Sequence, residues 1–324
     1  MNYLITGGSG FIPSYVVKGL LAEGHKVVNL DLYPDRWVYK NVLSEDERKE
    51  VTTVRGDITN FGLLLNTVKD HSIDKVIHMV ACIWPTSQLD PILATQVNCV
   101  GTNYVFEAAK ILGVKKVVWA SSVAVFGPAE KYEGEYIGDD APHYPGNVYA
   151  ACKSYQEFMG NHYFNNFGVD NIGLRFTIVY GYGRDRGMSA FASEMIEKTA
   201  LGEPYNLPYP TSAVISWEYV EDTARAIIMA SKASKTKTRV FTTGGDYRRI
   251  EEGVSYIKKI MPEAQITFQD DPNAIYRHLS VAKPKKFDTR KIKEEIGYER
   301  QISMEEGIKR TMNEHRKRAG LSSI

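Results

Sequence analysis

Two observations predict an α/β fold for this chain, with a doubly wound parallel sheet followed by a smaller C-terminal cap. Short β-rich runs alternate with longer stretches of helical period through the first half of the sequence. Runs such as Val117-Val118-Trp119-Ala120 are apolar throughout, as expected of strands that are covered on both faces. The length of 324 residues allows about two domains, or one large unit with an extension.

The individual elements follow from this alternation. The predicted strands are the short apolar runs Asn2–Thr6, Lys26–Asp31, Val51–Arg55, Lys75–Met79, Lys116–Ser121, Asn171–Phe176 and Arg239–Thr242. Stretches of helical period are found at Phe11–Glu23, Phe61–Asp70, Pro91–Leu112, Val148–Phe167, Met188–Ala200 and Met304–Arg318. The last helix is charged, and we expect it to dock through one apolar stripe that includes Ile308 and Met312.

The alternation weakens in the second half of the chain, where glycine, proline, asparagine and aspartate mark turns and loops. These residues are concentrated at Gly181–Gly187, Glu203–Pro210 and Gln269–His278. The sequence therefore predicts a sheet domain over residues 1–180 and a region over 181–324 that mainly forms the cap. The strand near 239–242 is expected to return to the sheet.

Composition and charge argue against several classes of partner and location. The 40 basic and 39 acidic residues give a net charge of +1, too little to hold nucleic acid or an anionic membrane nonspecifically. No run reaches the ~18 apolar residues that span a bilayer, and the first strand begins too close to Met1 for a signal peptide. Cys82, Cys99 and Cys152 are odd in number, far apart and without a C-x-x-C pair, which favours neither disulfides nor a metal site. We expect a soluble, cytoplasmic protein.

A glycine-rich turn, Thr6-Gly7-Gly8-Ser9-Gly10-Phe11-Ile12-Pro13, joins the first strand directly to the first helix. Glycines here allow a tight turn, so that the pyrophosphate of a dinucleotide can lie on the N-terminus of the helix. The predicted site consists of Gly7, Gly10, Phe11 and Ile12. Pro13 takes the third position of the usual three-glycine spacing, and proline is tolerated in a first helical turn. A purely structural turn is the alternative interpretation.

A carboxylate, Asp31, ends the second strand about 20 residues after the glycines. In this position a carboxylate accepts hydrogen bonds from the hydroxyls of the adenosine ribose, and it repels a phosphorylated ribose. The sequence therefore favours NAD over NADP as the cofactor, although Arg36 lies close enough to leave NADP open.

Tyr149 and Lys153 lie one helical turn apart, and Ser122 lies at the end of the fifth strand. Residues at i and i+4 share a helix face, so the Tyr149 phenol and the Lys153 ammonium can reach one site. A nearby cation is expected to lower the pKa of Tyr149 toward neutrality, which suits a general acid or base. Ser122 would hold the substrate oxygen, and Lys153 would also bind the nicotinamide ribose. A tyrosine at a core edge and a solvated lysine are the alternative.

With these motifs in this order, the chain resembles the extended short-chain dehydrogenase/reductase superfamily, in the branch of NAD-dependent sugar epimerases and dehydratases. The resemblance extends over nearly the whole length. It also includes Gly56-Asp57-Ile58, His78-Met79-Val80-Ala81, Val97-Asn98-Cys99-Val100-Gly101-Thr102, Ser121-Ser122-Val123-Ala124-Val125-Phe126-Gly127 and Glu221-Asp222-Thr223-Ala224-Arg225-Ala226.

The resemblance implies a Rossmann-type NAD-binding domain with a substrate-binding cap. It implies further cofactor contacts at Asp57, Ile58, Ala81 and Asn98. It places the catalytic hydroxyl on Ser122, five residues before Gly127. The helices Pro91–Leu112 and Val148–Phe167 correspond to those that pair between the subunits of many relatives, so a homodimer is implied.

Departures from the family pattern bear on the substrate. Dehydratases of this family carry an Asp-Glu pair after the catalytic hydroxyl, whereas Val123 and Ala124 cannot transfer protons, so 4,6-dehydration is not expected. Members that bind a nucleotide diphosphate usually have Asn and Arg where this chain has Ile178 and Ile215. Their loss should weaken diphosphate recognition, since charge-assisted hydrogen bonds contribute roughly 1.5–3 kcal/mol each. We therefore expect a substrate without a nucleotide.

Two further sets of residues are candidates for substrate contacts. Arg184 or Arg186, in the loop after the sixth strand, can bind an anion, with exposed loop arginines as the alternative. An aromatic lining of the cleft, with core packing as the alternative, is suggested by Trp84, Trp217, Tyr180 and Tyr182.

Three hypotheses about function follow. The first is an NAD-dependent dehydrogenase or reductase that acts on a small hydroxylated compound, of the sugar acid or polyol kind. The second is an NAD-dependent sugar epimerase, in which the cofactor is reduced and reoxidised within one catalytic cycle. The third is a cofactor-sensing binding module without catalytic activity, which the joint presence of Ser122, Tyr149 and Lys153 disfavours.

Overall fold

The structure is a computed structural model that describes residues 1–209, 213–234, 236–268 and 285–324. The loop predicted over 269–278 and the last residue of the turn predicted over 203–210 lie outside the described residues. The predicted α/β fold with a doubly wound parallel sheet is confirmed.

The centre of the molecule is a seven-stranded sheet in which every pair of neighbouring strands is parallel. Its strands are β1 (Asn2–Thr6), β2 (Lys26–Asp31), β3 (Thr52–Arg55), β4 (Lys75–His78), β5 (Lys116–Ser122), β7 (Asn171–Phe176) and β11 (Val240–Thr242). The spatial order is β3-β2-β1-β4-β5-β7-β11. The order reverses between β1 and β4, and a ligand of such a sheet binds at the carboxyl ends of the strands at that point.

Smaller sheets lie beyond the central one. β8 (Ile178–Tyr180), β10 (Val214–Tyr219) and β12 (Asp246–Arg249) form a three-stranded sheet. Two pairs of short strands complete the set, β6 (Tyr136–Ile137) with β14 (Lys286–Phe287), and β9 (Tyr205–Leu207) with β13 (Ile266–Phe268). The chain therefore leaves the central sheet after β7 and returns to it at β11. The division into domains at residue 180 remains a prediction.

Helices cover both faces of the central sheet. Their bounds are α1 (Phe11–Ala22), α2 (Trp37–Val42), α3 (Glu45–Lys49), α4 (Phe61–Asp70), α5 (Thr86–Leu89), α6 (Pro91–Ala94), α7 (Gly101–Leu112), α8 (Val148–Phe167), α9 (Phe191–Ala200), α10 (Val220–Lys232), α11 (Ile250–Ile260), α12 (Arg290–Ile296) and α13 (Met304–Arg318). The helix predicted over Pro91–Leu112 is not uniform, because a π-helical segment, Thr95–Val100, separates α6 from α7. That segment carries the buried Asn98.

The sequence interpretation missed α10, which packs against α1 and completes one helical layer of the sheet. A Cβ on Gly19 of α1 would lie 2.6 Å from Cδ1 of Ile228, so the two helices approach closely because this residue is glycine. The signals were present: Glu221 and Asp222 lie in the first turn of α10, and one face of the helix is apolar.

Three of the four aromatic residues proposed for the cleft, Tyr180, Tyr182 and Trp217, are core residues instead. Tyr180 and Trp217 are at most 1% exposed, and their rings pack edge to face with centroids 5.4 Å apart. The Tyr180 hydroxyl donates to the main-chain carbonyl of Met304 at 3.1 Å. Both side chains therefore join the small sheet to α13. Tyr182 is also buried, at 6% exposure.

No helix within the described ranges is long and apolar enough to cross a membrane.

Candidate active site

The glycine turn lies at the carboxyl end of β1, at the point where the strand order reverses. Gly7 has φ +71°, a conformation that favours glycine, and its N–H donates to the Leu30 carbonyl at 2.8 Å. Gly10 precedes Phe11, the first residue of α1, without a side-chain cap, so the first N–H groups of the helix are free to bind an anion. Pro13 lies within the first turn of α1, where its missing N–H has no intrahelical partner.

These residues fit a dinucleotide, because glycine at positions 7 and 10 lets the main chain form a close turn that a side chain would obstruct. A Cβ on Gly7 would lie 3.1 Å from Cγ2 and 3.2 Å from N of Val80, and one on Gly10 would lie 3.2 Å from the Gly7 carbonyl oxygen. A diphosphate can therefore approach the main chain of Gly7, Gly10, Phe11 and Ile12.

Replacing Gly7 with alanine is expected to weaken NAD binding, because the methyl group meets Val80 and the backbone must hold a left-handed conformation. Gly24 is a matched control: it has φ +75°, and a Cβ there would meet nothing within 4 Å. Gly24→Ala introduces similar backbone strain away from the turn. Isothermal titration with NAD should show a loss of affinity for Gly7→Ala, while an equal loss for Gly24→Ala would contradict the assignment.

Asp31 ends β2 beside the glycine turn and is 8% exposed. One carboxylate oxygen accepts the Ser9 N–H at 3.0 Å, and the other accepts the Tyr33 N–H at 2.8 Å. These bonds fix the carboxylate against the turn, and each oxygen keeps a further lone pair for a ribose hydroxyl.

Arg36, the cation that kept NADP as an alternative cofactor, forms an ion pair with another residue. Both oxygens of Asp185 accept from Nη2 of Arg36, at 3.0 and 2.8 Å, and Nε1 of Trp37 donates to the same carboxylate at 3.2 Å. This ion pair reduces the availability of Arg36 for a ribose phosphate, which strengthens the case for NAD.

The remaining predicted cofactor residues lie along the same edge of the sheet. Asp57 accepts the N–H and the hydroxyl of Thr59, both at 2.9 Å, while the Ile58 side chain is buried. Asn98 is fully buried, and its side-chain amide is bonded to the main-chain N–H and carbonyl of Cys82, at 2.7 and 2.9 Å. Asn98 thus holds the segment that follows Ala81. Direct contacts of these residues with the cofactor remain predictions.

The structure brings Ser122, Tyr149 and Lys153 together. Ser122 is the last residue of β5, and Tyr149 lies in the first turn of α8, where the Asn147 side chain caps the helix by accepting the Ala150 N–H at 2.9 Å. Ser122 lies beside the Tyr149 phenol, close enough for its hydroxyl to favour the phenolate. The Lys153 ammonium lies 5.5 Å from the centroid of the Tyr149 ring.

The electrostatics of Tyr149 differ from the expectation. Burial raises the pKa of Tyr149, and Ser122 and the positive charge of Arg184 oppose that rise. Arg184, from the loop after β8, is therefore a second cation that favours the phenolate, in addition to the Lys153 ammonium near the ring. Burial lowers the pKa of Arg184 to about 10.

Lys153 is 1% exposed and is held by the protein interior. Its ammonium donates to the Ala120 carbonyl at 2.6 Å and to Oε1 of Gln156 at 3.0 Å. Burial lowers the pKa of Lys153 to about 8. Gln156 donates in turn to the Asn98 carbonyl at 2.6 Å and to the Thr102 hydroxyl at 2.8 Å. Gln156, which the sequence reasoning missed, therefore fixes the position of Lys153.

A second buried network lies directly behind Ser122. Glu157 accepts from Nε of Arg175 at 2.8 Å, from Nη2 at 2.6 Å, and from the hydroxyl of Ser121 at 2.5 Å. Arg175 also donates to the Asp139 carbonyl at 3.0 Å. Burial would raise the pKa of Glu157, but the hydrogen bonds from Arg175 and His143 bring it to about 2.

The cysteines also come together, although they are far apart in the sequence. The side chains of Cys99 and Cys152 lie close enough for each thiol to shift the pKa of the other, and Cys152 lies next to Lys153 on α8. All three cysteines are free. Among the described residues, no group of three or more His, Cys, Asp or Glu side chains is arranged to hold a metal ion.

A family model described as NAD dependent epimerase/dehydratase family matches residues 3–244. The chain belongs to this family. It is therefore an NAD-dependent enzyme of the extended short-chain dehydrogenase/reductase type, as the motifs indicated.

Individual relatives span nearly the whole chain. UDP-glucuronate 4-epimerase of Thermodesulfobacterium geofontis is 29% identical over 96% of this chain and 95% of its own. UDP-glucose 4-epimerase of Thermus thermophilus, solved with NAD, is 26% identical with a TM-score of 0.83 and coverage of 98% and 99%. L-threonine dehydrogenase of Clostridium difficile has a TM-score of 0.86 at 21% identity, with 98% of each chain covered, and shares the fold.

Membership of the epimerase/dehydratase family supports an NAD-dependent oxidoreductase or epimerase and leaves the substrate open. The same fold is found in dehydrogenases of a small amino acid and in epimerases of nucleotide sugars. The choice between such substrates therefore depends on this chain's own side chains.

Proposed function

We propose that the protein interconverts an alcohol and a carbonyl on a small hydroxylated substrate that carries no nucleotide, with sugar acids and polyols as the expected classes. The observation that carries this proposal is the convergence of Ser122, at the end of β5, with Tyr149 and the buried Lys153 of α8, whose ammonium lies 5.5 Å from the centroid of the Tyr149 ring. A phenol and a hydroxyl in this arrangement can bind one oxygen atom and exchange its proton.

In the direction of oxidation, the Tyr149 phenolate takes the proton of the substrate hydroxyl while Ser122 donates a hydrogen bond to the same oxygen. Bound NAD supplies the acceptor for the hydride that leaves the carbon. Arg184 favours the phenolate by its charge. Lys153, fixed by Ala120 and Gln156, provides a cation at the base of the site.

The absence of a nucleotide is supported by the surroundings of Ile215 and Ile178. Ile215 is 3% exposed and belongs to the main apolar core, and Ile178 packs against the same core. Neither side chain can donate a hydrogen bond to a diphosphate. The residues after Ser122, Val123 and Ala124, begin a 3₁₀ turn and place no carboxylate beside the substrate oxygen, which argues against dehydration.

The second candidate is an epimerase, and the relatives favour it. The UDP-glucuronate 4-epimerase of Thermodesulfobacterium geofontis matches at 29% identity over 96% of this chain. An epimerase would use the same Ser122, Tyr149 and Lys153 and would return the hydride to the substrate within one cycle.

The products of turnover distinguish the two candidates. Purified protein would be incubated with NAD and a panel of sugar acids, polyols and small hydroxy compounds, in parallel with UDP-glucose and UDP-glucuronate. We expect NADH to form in step with a carbonyl product from a substrate without a nucleotide. Conversion of a UDP-sugar into its epimer without net NADH would instead establish the epimerase, and a tight NAD complex inert toward the whole panel would revive a binding module.

We also propose that the protein is a homodimer in a reducing compartment such as the cytoplasm. Apolar side chains remain exposed on α7 and α8, including Ile111 at 53% and Phe158 at 70%. These are the helices that the family resemblance assigns to the dimer contact. The three free thiols are compatible with a reducing environment. A monomeric mass by light scattering would overturn the dimer.

A further inference from the structure

The loop formed by residues 181–187 contacts three sides of the crevice in which a dinucleotide binds. On the α1 side, the Tyr15 hydroxyl donates to the Tyr182 carbonyl at 2.9 Å. On the side that follows β4, a Cβ on Gly187 would lie 3.1 Å from Cδ1 of Ile83. On the side that follows β2, Asp185 accepts from Arg36 and Trp37. The loop therefore bridges the crevice.

The arginines of this loop extend toward the two ends of the crevice. Arg184 interacts electrostatically with Tyr149, at the catalytic end, and its guanidinium carbon lies 5.9 Å from the centroid of the Phe11 ring. Arg186 interacts with Asp31, at the end predicted to hold the adenosine ribose. The 181–187 loop thus runs along the crevice above the N-terminus of α1.

One donor on this loop is unused in the part of the chain that the structure describes. The two terminal nitrogens of Arg184 donate to the Val179 carbonyl at 2.5 Å and to the Ser189 hydroxyl at 2.7 Å. Its Nε is buried without a hydrogen-bond partner. A buried guanidinium N–H near the N-terminus of α1 is suited to an oxygen of a diphosphate, which the helix binds from the opposite side.

Asp185 fastens the loop to the β2 side. Its carboxylate takes two short hydrogen bonds from Arg36 and one from Trp37, and the side chains of Arg36 and Asp185 are 16% and 29% exposed. A partly buried pair with two charge-assisted bonds is stronger and less screened by salt than an exposed one. We call this ion pair the Arg36–Asp185 clasp.

We propose that the 181–187 loop forms the outer wall of the cofactor site, with Arg184 donating to the dinucleotide diphosphate, and that the Arg36–Asp185 clasp must open before the cofactor can leave. This inference rests on NAD binding and is independent of the substrate class. It assigns the clasp control over the rate of cofactor release, a step that a dehydrogenase repeats in every cycle and that an epimerase does not need within its cycle.

The test measures NADH dissociation directly. The complex with NADH is mixed with excess ADP-ribose, and the loss of NADH fluorescence is followed by stopped flow for wild type, Asp185→Asn, Arg36→Gln and the double variant. We expect each single variant to release NADH about tenfold faster or more, because charge-assisted bonds that hold the wall are lost. The double variant should be no faster than the faster single variant, since both changes break one interaction.

Asp35→Asn is the matched control. Asp35 lies in the same connection, and its side chain is 86% exposed and pairs with Lys40 at 3.3 Å. Its release rate should stay within about twofold of wild type. Release from Asp185→Asn within about twofold of wild type, or single effects that multiply in the double variant, would overturn the clasp.

The contact of Arg184 with the diphosphate is tested by measuring ligand affinities of a further variant, Arg184→Met. Arg184→Met should weaken binding of NAD and of ADP-ribose alike, because both contain the diphosphate, and it should leave adenosine binding unchanged. Equal affinity of wild type and Arg184→Met for ADP-ribose would overturn this contact. Failure of the wild-type chain to bind NADH would overturn the wall and the cofactor assignment together, whereas failure to find a substrate affects neither measurement.

Discussion

Replacing Tyr149 with phenylalanine should lower turnover by about a hundredfold to ten-thousandfold, the usual contribution of a positioned general acid or base. Burial raises the pKa of the phenol, and Ser122 and the charge of Arg184 oppose that rise. Phenylalanine keeps the ring and its packing but removes the group that exchanges the proton. The measurement is kcat with the substrate identified by the panel, using protein shown to bind NAD.

Tyr155→Phe is the matched control for this change. Tyr155 lies on the same helix, 38% exposed, and its hydroxyl accepts from Asn103 at 2.6 Å, away from Ser122. Its loss should leave kcat almost unchanged. A Tyr149→Phe variant that keeps more than a tenth of wild-type turnover would remove Tyr149 from the proton transfer.

Replacing Arg175 with methionine should destabilise the protein by about 3–5 kcal/mol, the usual cost of leaving one member of a buried ion pair without its partner. The side chains of Arg175 and Glu157 are 3% and 4% exposed, and they are joined by two hydrogen bonds of 2.8 and 2.6 Å. Without the guanidinium, a carboxylate remains buried with Ser121 and His143 as its remaining partners. Urea denaturation of the NAD-free protein measures the change.

Two comparisons test the cause of this loss. Lys40→Met breaks an exposed ion pair, 51% and 86% exposed, and should change the free energy of unfolding little. The double variant Arg175→Met/Glu157→Met removes both charges and should recover part of the loss. If the added Glu157→Met change instead lowers the free energy of unfolding of Arg175→Met further, as an independent substitution would, the lost ion pair is not the cause of the destabilisation.

The ion pair of Arg175 and Glu157 also predicts how the stability of the wild-type protein depends on pH. The pKa of Glu157 is about 2 in the folded protein, below the roughly 4.3 of an unperturbed glutamate. The unfolded chain therefore binds the proton first as the pH falls, so this contribution is complete above about pH 4.3 and is lost as the pH falls from there toward 2. In Arg175→Met this part of the acid dependence should be reduced.

The central sheet was predictable because its signals are local. Buried parallel strands are continuous apolar runs, and the predicted bounds of β1, β2 and β7 agree with the structure to the residue. Gly7, Gly10 and Asp31 were found because each ends a strand or begins a helix. The cap was less predictable, since its strands are not continuous apolar runs: β12 is Asp246-Tyr247-Arg248-Arg249, and β10 is interrupted by Ser216 and Glu218.

Sequence spacing also misled at particular residues. Tyr180 and Trp217 are aromatic residues near the site in sequence order, but their rings face the core between the small sheet and α13. Cys99 and Cys152 lie far apart in the sequence, yet the π-helical segment Thr95–Val100 packs against α8 and brings them together. A contact between distant segments leaves no local pattern, because neither segment needs the other to form its own hydrogen bonds.

The sequence by itself determined the strands of the central sheet, the glycine turn, the acidic residue after β2 and the Ser122, Tyr149 and Lys153 set. These depend on backbone conformation and on spacing along one element, which each segment encodes locally. Tertiary structure alone decided that the charge of Arg184 acts on Tyr149, that Gln156 holds Lys153 and that Asp185 binds Arg36. Such partners are chosen by packing between elements that are distant in sequence, where burial makes each charge or donor require a partner.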